Sequence, residues 1–230
     1  MTKPLRLGIA GLGTVGAGVV KIVQKHADLL ASRTGRAVTI SAVSARSRSR
    51  DRGVDLSGYA WEDDPVALAT RDDVDVFVEL MGGEDGPAKA ATEAAIAAGK
   101  DVVTANKAML AVHGQALAEA AEAKDACLRF EAAVAGGIPV IKALTEGLAG
   151  NEITRVLGVM NGTCNYILTR MQDAGLDYQK VFAEAEALGY LEADPTLDVG
   201  GIDAGHKLAL LASIAYGTQV DFAGMEIEGI

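Results

Sequence analysis

The spacing of glycines after the first apolar segment is the feature that most limits how this chain folds. Gly11, Gly13 and Gly16 have G-x-G-x-x-G spacing, between the apolar segment LRLGIA (5–10) and a helical pattern that begins near Thr14. Glycine permits a tight turn and lets a pyrophosphate approach the free N–H groups of a helix N-terminus, so this context is typical of a dinucleotide site. A purely structural glycine-rich turn is the alternative, because the spacing alone is a weak signal. The predicted cofactor contacts of the turn are Gly11, Gly13, Thr14, Val15 and Gly16.

Apolar runs alternate with helical patterns over the first part of the chain. This rhythm predicts an α/β fold with a mostly parallel, Rossmann-type sheet and right-handed crossovers. The predicted strands span 5–10, 38–44, 74–80, 101–105 and 127–134, and the predicted helices span 14–30, 87–98 and 107–124.

The pattern changes near Gly136–Ile138, where we place a domain boundary. A strand is predicted over 153–160, followed by helices at NYILTRM, at YQKVFAEAEAL and over 201–216. We therefore predict an NAD(P)-binding Rossmann domain over 1–136 and an α/β substrate-binding, catalytic domain over 137–230.

Composition excludes several classes of protein. A formal net charge of −10 disfavours a nucleic-acid partner, and no apolar run approaches the roughly 18 residues that a membrane span needs. Cys127 and Cys164 have no zinc spacing and cannot form a disulfide framework. We expect a cytoplasmic, reduced protein with a small-molecule substrate.

The second predicted strand is followed by a basic loop, SARSRSR. The strand end lacks the carboxylate that would hold the ribose 2′-hydroxyl of NAD, and Arg46, Arg48 and Arg50 stand there instead. Guanidinium groups suit a 2′-phosphate, which favours NADP over NAD. Arg46 is the best candidate because it lies nearest to the strand, and a solvated basic loop is the alternative.

An acid-rich segment, YLEADPTLDVGGIDAGHKLALL (190–211), leads into a predicted apolar helix. Asp203 and Lys207 are four residues apart and share one helix face. An ordinary surface ion pair would explain the spacing. The apolar character of the helix and the carboxylates that precede it favour a buried, functional pair.

Five segments together resemble the homoserine dehydrogenase family: GLGTVGAGVV, VVTANKAMLA, FEAAVAGGIPVIKAL, GVMNGTCNYILTRM and ALGYLEADPTLDVGGIDAGHKLALLA. They cover most of the chain in the family's order. The resemblance implies NAD- or NADP-dependent interconversion of L-homoserine and L-aspartate 4-semialdehyde, a step toward threonine and methionine.

The resemblance also implies roles for the acid-rich segment. Lys207 is the acid for semialdehyde reduction and the base for homoserine oxidation, and Asp203 orients the substrate. Glu192 and Asp198 would attract the substrate's ammonium group, while Asp194 is left as a turn residue.

Lys107, in TANKAML, follows a predicted strand and is expected at the active site, touching the substrate near the nicotinamide. An exposed lysine at a helix start is the alternative. Thr104 and Asn106 flank it and are expected to bind the nicotinamide side of the cofactor. Thr163 is expected to cap the next helix, either alone or while holding the substrate carboxylate. The remaining predicted contacts are Tyr190 for the substrate, with simple packing as the alternative, and Gly189 for the cofactor.

A sodium or potassium ion is a further expectation from the family. One carboxylate and three backbone oxygens make a suitable site for a hard cation. The matching positions are Glu131, Val134, Gly136 and Ile138.

The chain stops at MEIEGI, whereas members of the family continue beyond this point. We therefore expect a truncated form, and a homodimer, as is common in the family. Two alternatives stay open: another amino-acid dehydrogenase, such as an aspartate dehydrogenase, and a non-catalytic NADP-binding fragment.

Overall fold

The computed structural model describes residues 2–191 and 195–230, and the chain divides into two compact units, the first ending at Val140 and the second spanning Ile141–Ile230. Among the described residues, no helix is long and apolar enough to cross a membrane.

The first unit is built on one six-stranded parallel sheet. Its strands are β1 (Leu5–Ala10), β2 (Val38–Ser44), β3 (Ala60–Trp61), β4 (Val76–Glu79), β5 (Asp101–Thr104) and β6 (Leu128–Arg129). Their order in the sheet is β3-β2-β1-β4-β5-β6. This is the order of a dinucleotide-binding Rossmann sheet, which confirms the predicted fold class.

Five helices lie between these strands and a sixth follows the last strand: α1 (Thr14–Lys25), α2 (Ala27–Thr34), α3 (Pro65–Thr70), α4 (Pro87–Ala97), α5 (Lys107–Glu122) and α6 (Glu131–Val134). The core forms where the apolar strands meet the apolar face of α1. Ile9, Val20 and Val43 are fully buried there. Burying each such side chain is worth roughly 1.5–3 kcal/mol, which holds the glycine turn between β1 and α1 in place.

Two local predictions for this unit were wrong, and two short elements were missed. The predicted strand 127–134 is a strand only in β6 and then becomes α6, because its second half, EAAV, has strong helix formers. The predicted helix 14–30 is two helices that meet at His26, whose φ of −115° departs from helical geometry. The short elements β3 and α3 were not predicted, although Asp64 caps α3 and Pro65 starts it.

The second unit is helical in its described part. It contains α7 (Val140–Lys142), which begins at the last residue of the first unit, a π-helical turn (Ala143–Gly147), α8 (Gly162–Ala174), α9 (Tyr178–Ala187), α10 (Thr196–Val199) and α11 (Ile202–Tyr216). The helices predicted from NYILTRM, from YQKVFAEAEAL and over 201–216 are confirmed as α8, α9 and α11. Ile167 on α8 packs with Val181 and Ala185 on α9 in a small core.

The predicted strand 153–160 does not form a strand. Leu157 is 86% exposed and Val159 is 77% exposed. Within residues 2–191 and 195–230, no other segment pairs with this one as a strand. An apolar segment without regular secondary structure therefore exposes Leu157 and Val159 to solvent.

Candidate functional site

Two glycines of the first turn are required by close backbone packing. Gly11 has a φ of +95°, and a Cβ atom there would overlap the carbonyl of Leu80, which follows β4. A Cβ on Gly16 would overlap the carbonyl oxygen of Gly11. By contrast, no atom lies within 4 Å of the Cβ position of Gly13, so the space beside Gly13 is open to a ligand.

The N-terminus of α1 begins at this open space, and no described side chain caps its backbone donors. Gly13 is the N-cap residue and provides no side-chain hydrogen bond, and the first turn of α1 contains no acidic residue. The helix dipole and these free N–H groups suit an anionic group such as a pyrophosphate. Thr14 and Val15 are exposed at the start of the helix, with Val15 58% exposed.

The basic loop is fixed against the glycine turn. The Gly11 N–H donates to the carbonyl oxygen of Ser44, the last residue of β2, at 2.9 Å. Arg52 donates from Nε to the carbonyl oxygen of Leu12 at 3.1 Å and from its terminal nitrogens to the carbonyl oxygens of Ser47 and Arg50.

Trp61 lies close to two arginines of the loop. The guanidinium carbons of Arg48 and Arg52 lie 5.9 and 5.7 Å from its ring centre. Arg46 is exposed two residues after β2. Arg48 and Arg52 therefore brace the loop, and Arg46 stays the better candidate for a 2′-phosphate contact.

A buried carboxylate organises the ends of β4 and β5. Glu79 is fully buried, and its Oε1 accepts from the backbone N–H groups of Met81 and Gly82 at 2.7 and 3.1 Å. Its Oε2 accepts from the hydroxyl of Thr104 at 2.6 Å. Thr104 is 1% exposed and its only hydroxyl proton goes to Glu79. A cofactor contact from Thr104 would therefore come from its backbone.

Asn106 carries this network into α5. Its backbone N–H donates to Thr104 Oγ1 at 3.0 Å, and its side-chain Oδ1 accepts from the N–H of Met109 at 3.1 Å, which caps the helix. Its Nδ2 donates to the carbonyl oxygen of Gly83 at 2.7 Å. Lys107 is the first residue of α5 and is half-buried. The lysine thus follows the carboxyl end of β5, the edge at which ligands bind in such sheets.

In the second unit, Asp203 and Lys207 form a close pair. Lys207 Nζ donates to Asp203 Oδ2 at 2.7 Å and to the carbonyl oxygen of Met160 at 2.8 Å. The side chains are 9% and 21% exposed, so this is not an ordinary surface ion pair. An ammonium group has three donors. Among the described residues Lys207 uses two of them, which leaves one for a ligand.

Asn161 joins two carboxylates and a helix. Its Nδ2 donates to Asp198 Oδ1 at 2.8 Å and to Asp203 Oδ2 at 2.9 Å. Its Oδ1 accepts from the N–H of Cys164 at 2.8 Å, so it is the N-cap residue of α8. The prediction that Thr163 caps this helix was wrong, because the Thr163 hydroxyl donates to the carbonyl oxygen of Tyr190 at 3.0 Å.

Cys164 lies against the same carboxylates. Its thiol donates to the carbonyl oxygen of Asp198 at 3.1 Å. Burial raises the pKa of the Cys164 thiol, and the negative charges of Asp198 and Asp203 raise it further. The thiol is therefore a protonated packing group beside the cluster.

Tyr190 and Gly189 lie at the start of the acid-rich segment. Gly189 has a φ of +73° and follows α9 closely. The ring of Tyr190 is half-exposed and meets the ring of Tyr166 edge-on, with the ring centres 5.0 Å apart. Glu192 and Asp194 lie outside the described residues, so their predicted roles stay predictions.

The segment expected to hold a monovalent cation forms α6 and the bend after it. Glu131 begins the helix and Val134 ends it, while Gly136 and Ile138 are exposed. The carbonyl oxygen of Ile138 accepts from the N–H of Val140 at 2.8 Å, which leaves it one lone pair. Among the described residues, no three His, Cys, Asp or Glu side chains are grouped as a metal site. A site made mainly of backbone oxygens would not contain such a group.

Three residues of these sites were missed or undervalued in the sequence. Glu79 ends an apolar strand, and a charged residue in that position is the signal that could have marked it. Asn161 precedes a helix and is a preferred cap residue, so Asn161 rather than Thr163 was the better prediction. Arg52 had no signal that separated it from its basic neighbours.

Two family models match the chain. The homoserine dehydrogenase NAD-binding domain matches residues 11–131, more than half of the chain, and the homoserine dehydrogenase model matches residues 139–230. The chain belongs to the homoserine dehydrogenase family. The first match contains the glycine turn and Lys107, and the second contains Asp203 and Lys207.

Relatives of known name agree with this assignment. The homoserine dehydrogenase of Neisseria gonorrhoeae is 47% identical over 228 residues, which cover 99% of this chain and 52% of the relative. The crystal structure of a homoserine dehydrogenase from Thiobacillus denitrificans has a TM-score of 0.94 at 43% identity, covering 99% of this chain and 52% of that one. This chain therefore spans about half the length of these relatives.

A third relative is a hyperthermophilic archaeal homoserine dehydrogenase, solved in complex with NADPH. It has a TM-score of 0.82 at 26% identity, covering 94% of this chain and 70% of that one.

Proposed function

We propose that this chain carries the nucleotide-binding and proton-transfer residues of an NAD(P)-dependent homoserine dehydrogenase. The observation that carries the proposal is the Asp203–Lys207 pair, in which Asp203 is buried and Lys207 is mostly buried, and which is oriented by Asn161 and Met160. Family membership supplies the reaction, the interconversion of L-homoserine and L-aspartate 4-semialdehyde. The nicotinamide ring, when bound, accepts or supplies the hydride.

In the reductive direction, the oxygen of the semialdehyde becomes an alkoxide and requires a proton. Lys207 has one donor that no described residue takes, and that donor is suited to this oxygen. Asp203 fixes the ammonium through one oxygen at 2.7 Å. In the oxidative direction the neutral amine form of Lys207, which has given one proton to solvent, accepts the hydroxyl proton as the carbinol C–H gives up its hydride to the nicotinamide.

The carboxylates around Lys207 suit an amino-acid substrate. Asp198 and Asp203 both accept hydrogen bonds from Asn161, so one amide holds two negative groups in place. Their combined charge exceeds that of the single Lys207 ammonium, and the cluster therefore attracts the substrate's α-ammonium group. Glu192, Thr163 and Tyr190 are kept as proposed substrate contacts on the basis of the family resemblance.

For the cofactor we propose NADP in preference to NAD. Exposed Arg46 after β2 supports this choice, and the archaeal relative solved with NADPH agrees with it. Gly11, Gly13, Thr14, Val15 and Gly16 would hold the pyrophosphate, and Lys107, Thr104 and Gly189 are the other proposed cofactor contacts.

A sodium or potassium ion and a homodimer complete the proposal. The ion would use the Glu131 carboxylate and the backbone oxygens of Val134, Gly136 and Ile138. Both features rest on the family resemblance. The same resemblance supports the proposed division into a nucleotide-binding domain (1–136) and a substrate-binding domain (137–230).

A substrate panel tests the proposed reaction. This chain and a version extended to the length of its relatives are each assayed for NADP reduction with homoserine or with aspartate. We expect turnover with homoserine and none with aspartate in the extended version. Turnover with aspartate would favour an aspartate dehydrogenase. NADPH binding without turnover in both versions would favour a binding module.

A further inference from the structure

We propose that Glu79 is a positioning residue for the nicotinamide half of the cofactor site, an inference that rests on the proposed function. It acts through Thr104 and Asn106 on the start of α5, where Lys107 lies.

The burial of Glu79 requires an explanation. A fully buried carboxylate is costly unless hydrogen bonds replace its hydration. Glu79 accepts three: two from backbone N–H groups of the loop after β4 and one from Thr104. Both of its oxygens therefore act only as acceptors. A neutral side chain of similar shape would fill the same space but would not accept hydrogen bonds through both of its end atoms. The specific role of the carboxylate is therefore to accept bonds from the ends of both β4 and β5.

The bond to Thr104 determines the geometry that follows. Because the Thr104 hydroxyl donates to Glu79, its oxygen is directed to accept from the N–H of Asn106 at 3.0 Å. Asn106 in turn caps α5 and holds the carbonyl of Gly83. One carboxylate thus connects the loop after β4, the end of β5 and the first turn of α5. Lys107 lies in that first turn.

The position of Glu79 in the sheet assigns it to one half of the dinucleotide. In a Rossmann sheet, each half of the strands binds one mononucleotide, and the first half, with the glycine turn, takes the adenosine side. Glu79 and Thr104 end β4 and β5, which belong to the second half. Their network therefore supports the nicotinamide side.

Glu79→Gln isolates the bond to Thr104. Glutamine can place its carbonyl oxygen where Oε1 accepts from Met81 and Gly82. Its NH2 group then faces the Thr104 oxygen, so the hydroxyl loses its acceptor and the glutamine NH2 competes with the Asn106 N–H for the lone pairs of that oxygen. The loop after β4 keeps its bonds, whereas the connection to Asn106 and α5 is disturbed.

Two ligands separate a positioning role from a general loss of structure. NADPH occupies both halves of the site, and 2′,5′-ADP occupies only the adenosine half. Glu79→Gln is expected to raise the Kd for NADPH about tenfold, which is about 1.4 kcal/mol, and to leave the Kd for 2′,5′-ADP within about twofold. Thr104→Val, which removes the same bond from the other side, is expected to repeat this pattern.

Thr92→Val provides the matched control. Thr92 is also a fully buried threonine, but its hydroxyl has no hydrogen-bond partner among the described residues. This variant is expected to bind both ligands as the wild type does.

The outcomes separate the two proposals. Equal weakening of both ligands by Glu79→Gln and Thr104→Val, or no weakening of either, would overturn the positioning role and leave the proposed function standing. A wild-type chain that binds neither ligand would overturn both.

Discussion

Lys207 is held differently from Lys180, another ion-paired lysine of the same unit. The Lys180–Asp177 pair is also close, at 3.0 Å, but the Lys180 side chain is 68% exposed against 21% for Lys207. Lys207 also donates to a backbone carbonyl, which fixes the direction of its remaining proton. An exposed ion pair contributes little, whereas an oriented ammonium can transfer a proton.

Replacing Lys207 by alanine should therefore affect turnover rather than cofactor binding. In a version extended to the relatives' length, Lys207→Ala is expected to lower kcat for semialdehyde reduction by about 10²–10⁴-fold, the usual contribution of a general acid. The Kd for NADPH should change by less than about twofold. Lys180→Ala is the control and should match the wild type, and equal kcat values in both variants would remove Lys207 from the mechanism.

Arg46 is a second prediction at the scale of single residues. A hydrogen bond to a charged group is worth about 1.5–3 kcal/mol, so Arg46→Ala is expected to weaken NADPH by about 10–100-fold and NADH by much less. Arg36 is exposed two residues before the same strand and is the control, since it lies at the opposite end of β2. Equal losses for NADPH and NADH in fluorescence titrations would contradict the 2′-phosphate assignment.

At the scale of elements, the N-terminus of α8 couples helix formation to the carboxylate cluster. Asn161 and Asp177 are both N-cap residues, of α8 and α9, and each accepts one backbone N–H. Only Asn161 also donates, to Asp198 and Asp203. The cap residue of α8 therefore also positions the two carboxylates, Asp198 and Asp203, whereas the cap residue of α9 does not contact them.

Exchanging amide and carboxylate at the two caps measures this coupling. Asn161→Asp keeps the cap acceptor but loses both donors and places a third carboxylate beside two others, so we expect a loss of about 2 kcal/mol or more in the free energy of unfolding. Asp177→Asn also keeps its acceptor and should cost less than about 1 kcal/mol. Urea unfolding of both variants gives the comparison, and equal losses would show that the Asn161 donors contribute nothing.

A comparison of the elements shows which parts of the fold and the site could be predicted from the sequence. Strands β1 and β2 were predicted within a residue, since their apolar runs end at glycines or a polar loop. The segment 153–160 has the same apolar character but forms no strand, because periodicity does not say whether a partner is present. Asp203 and Lys207 were predicted to meet, since their spacing is local. The contact between Glu79 and Thr104 spans 25 residues, and no local pattern encodes it.

At the scale of the whole molecule, acidic pH should destabilise the first unit by protonating Asp75, whose carboxylate pairs with Arg6. Arg6 holds both oxygens of Asp75 and keeps the pKa of that carboxyl well below its usual range. A carboxyl whose pKa is lowered on folding contributes stability above its unfolded pKa, near 4, and loses that contribution as the pH falls toward the folded value. The charged form of Asp75 therefore stabilises the fold at neutral pH.

Asp75→Asn tests this linkage. The variant should be less stable than the wild type at about pH 7, and the difference in the free energy of unfolding should shrink steadily below about pH 4. Asp28→Asn, at an exposed carboxylate of α2, is the control. A difference that stays constant from neutral to acid pH would show that the Arg6–Asp75 pair is not linked to folding.

The most direct test of the proposed chemistry follows the hydride itself. Homoserine carrying two deuterium atoms on its hydroxyl-bearing carbon is incubated with NADP and a version of the protein extended to the relatives' length, and the reduced cofactor is examined by mass spectrometry. We expect one deuterium in each reduced nicotinamide formed, together with aspartate 4-semialdehyde. Reduced cofactor without deuterium, or no reduced cofactor at all, would contradict the assignment of this chain to homoserine oxidation.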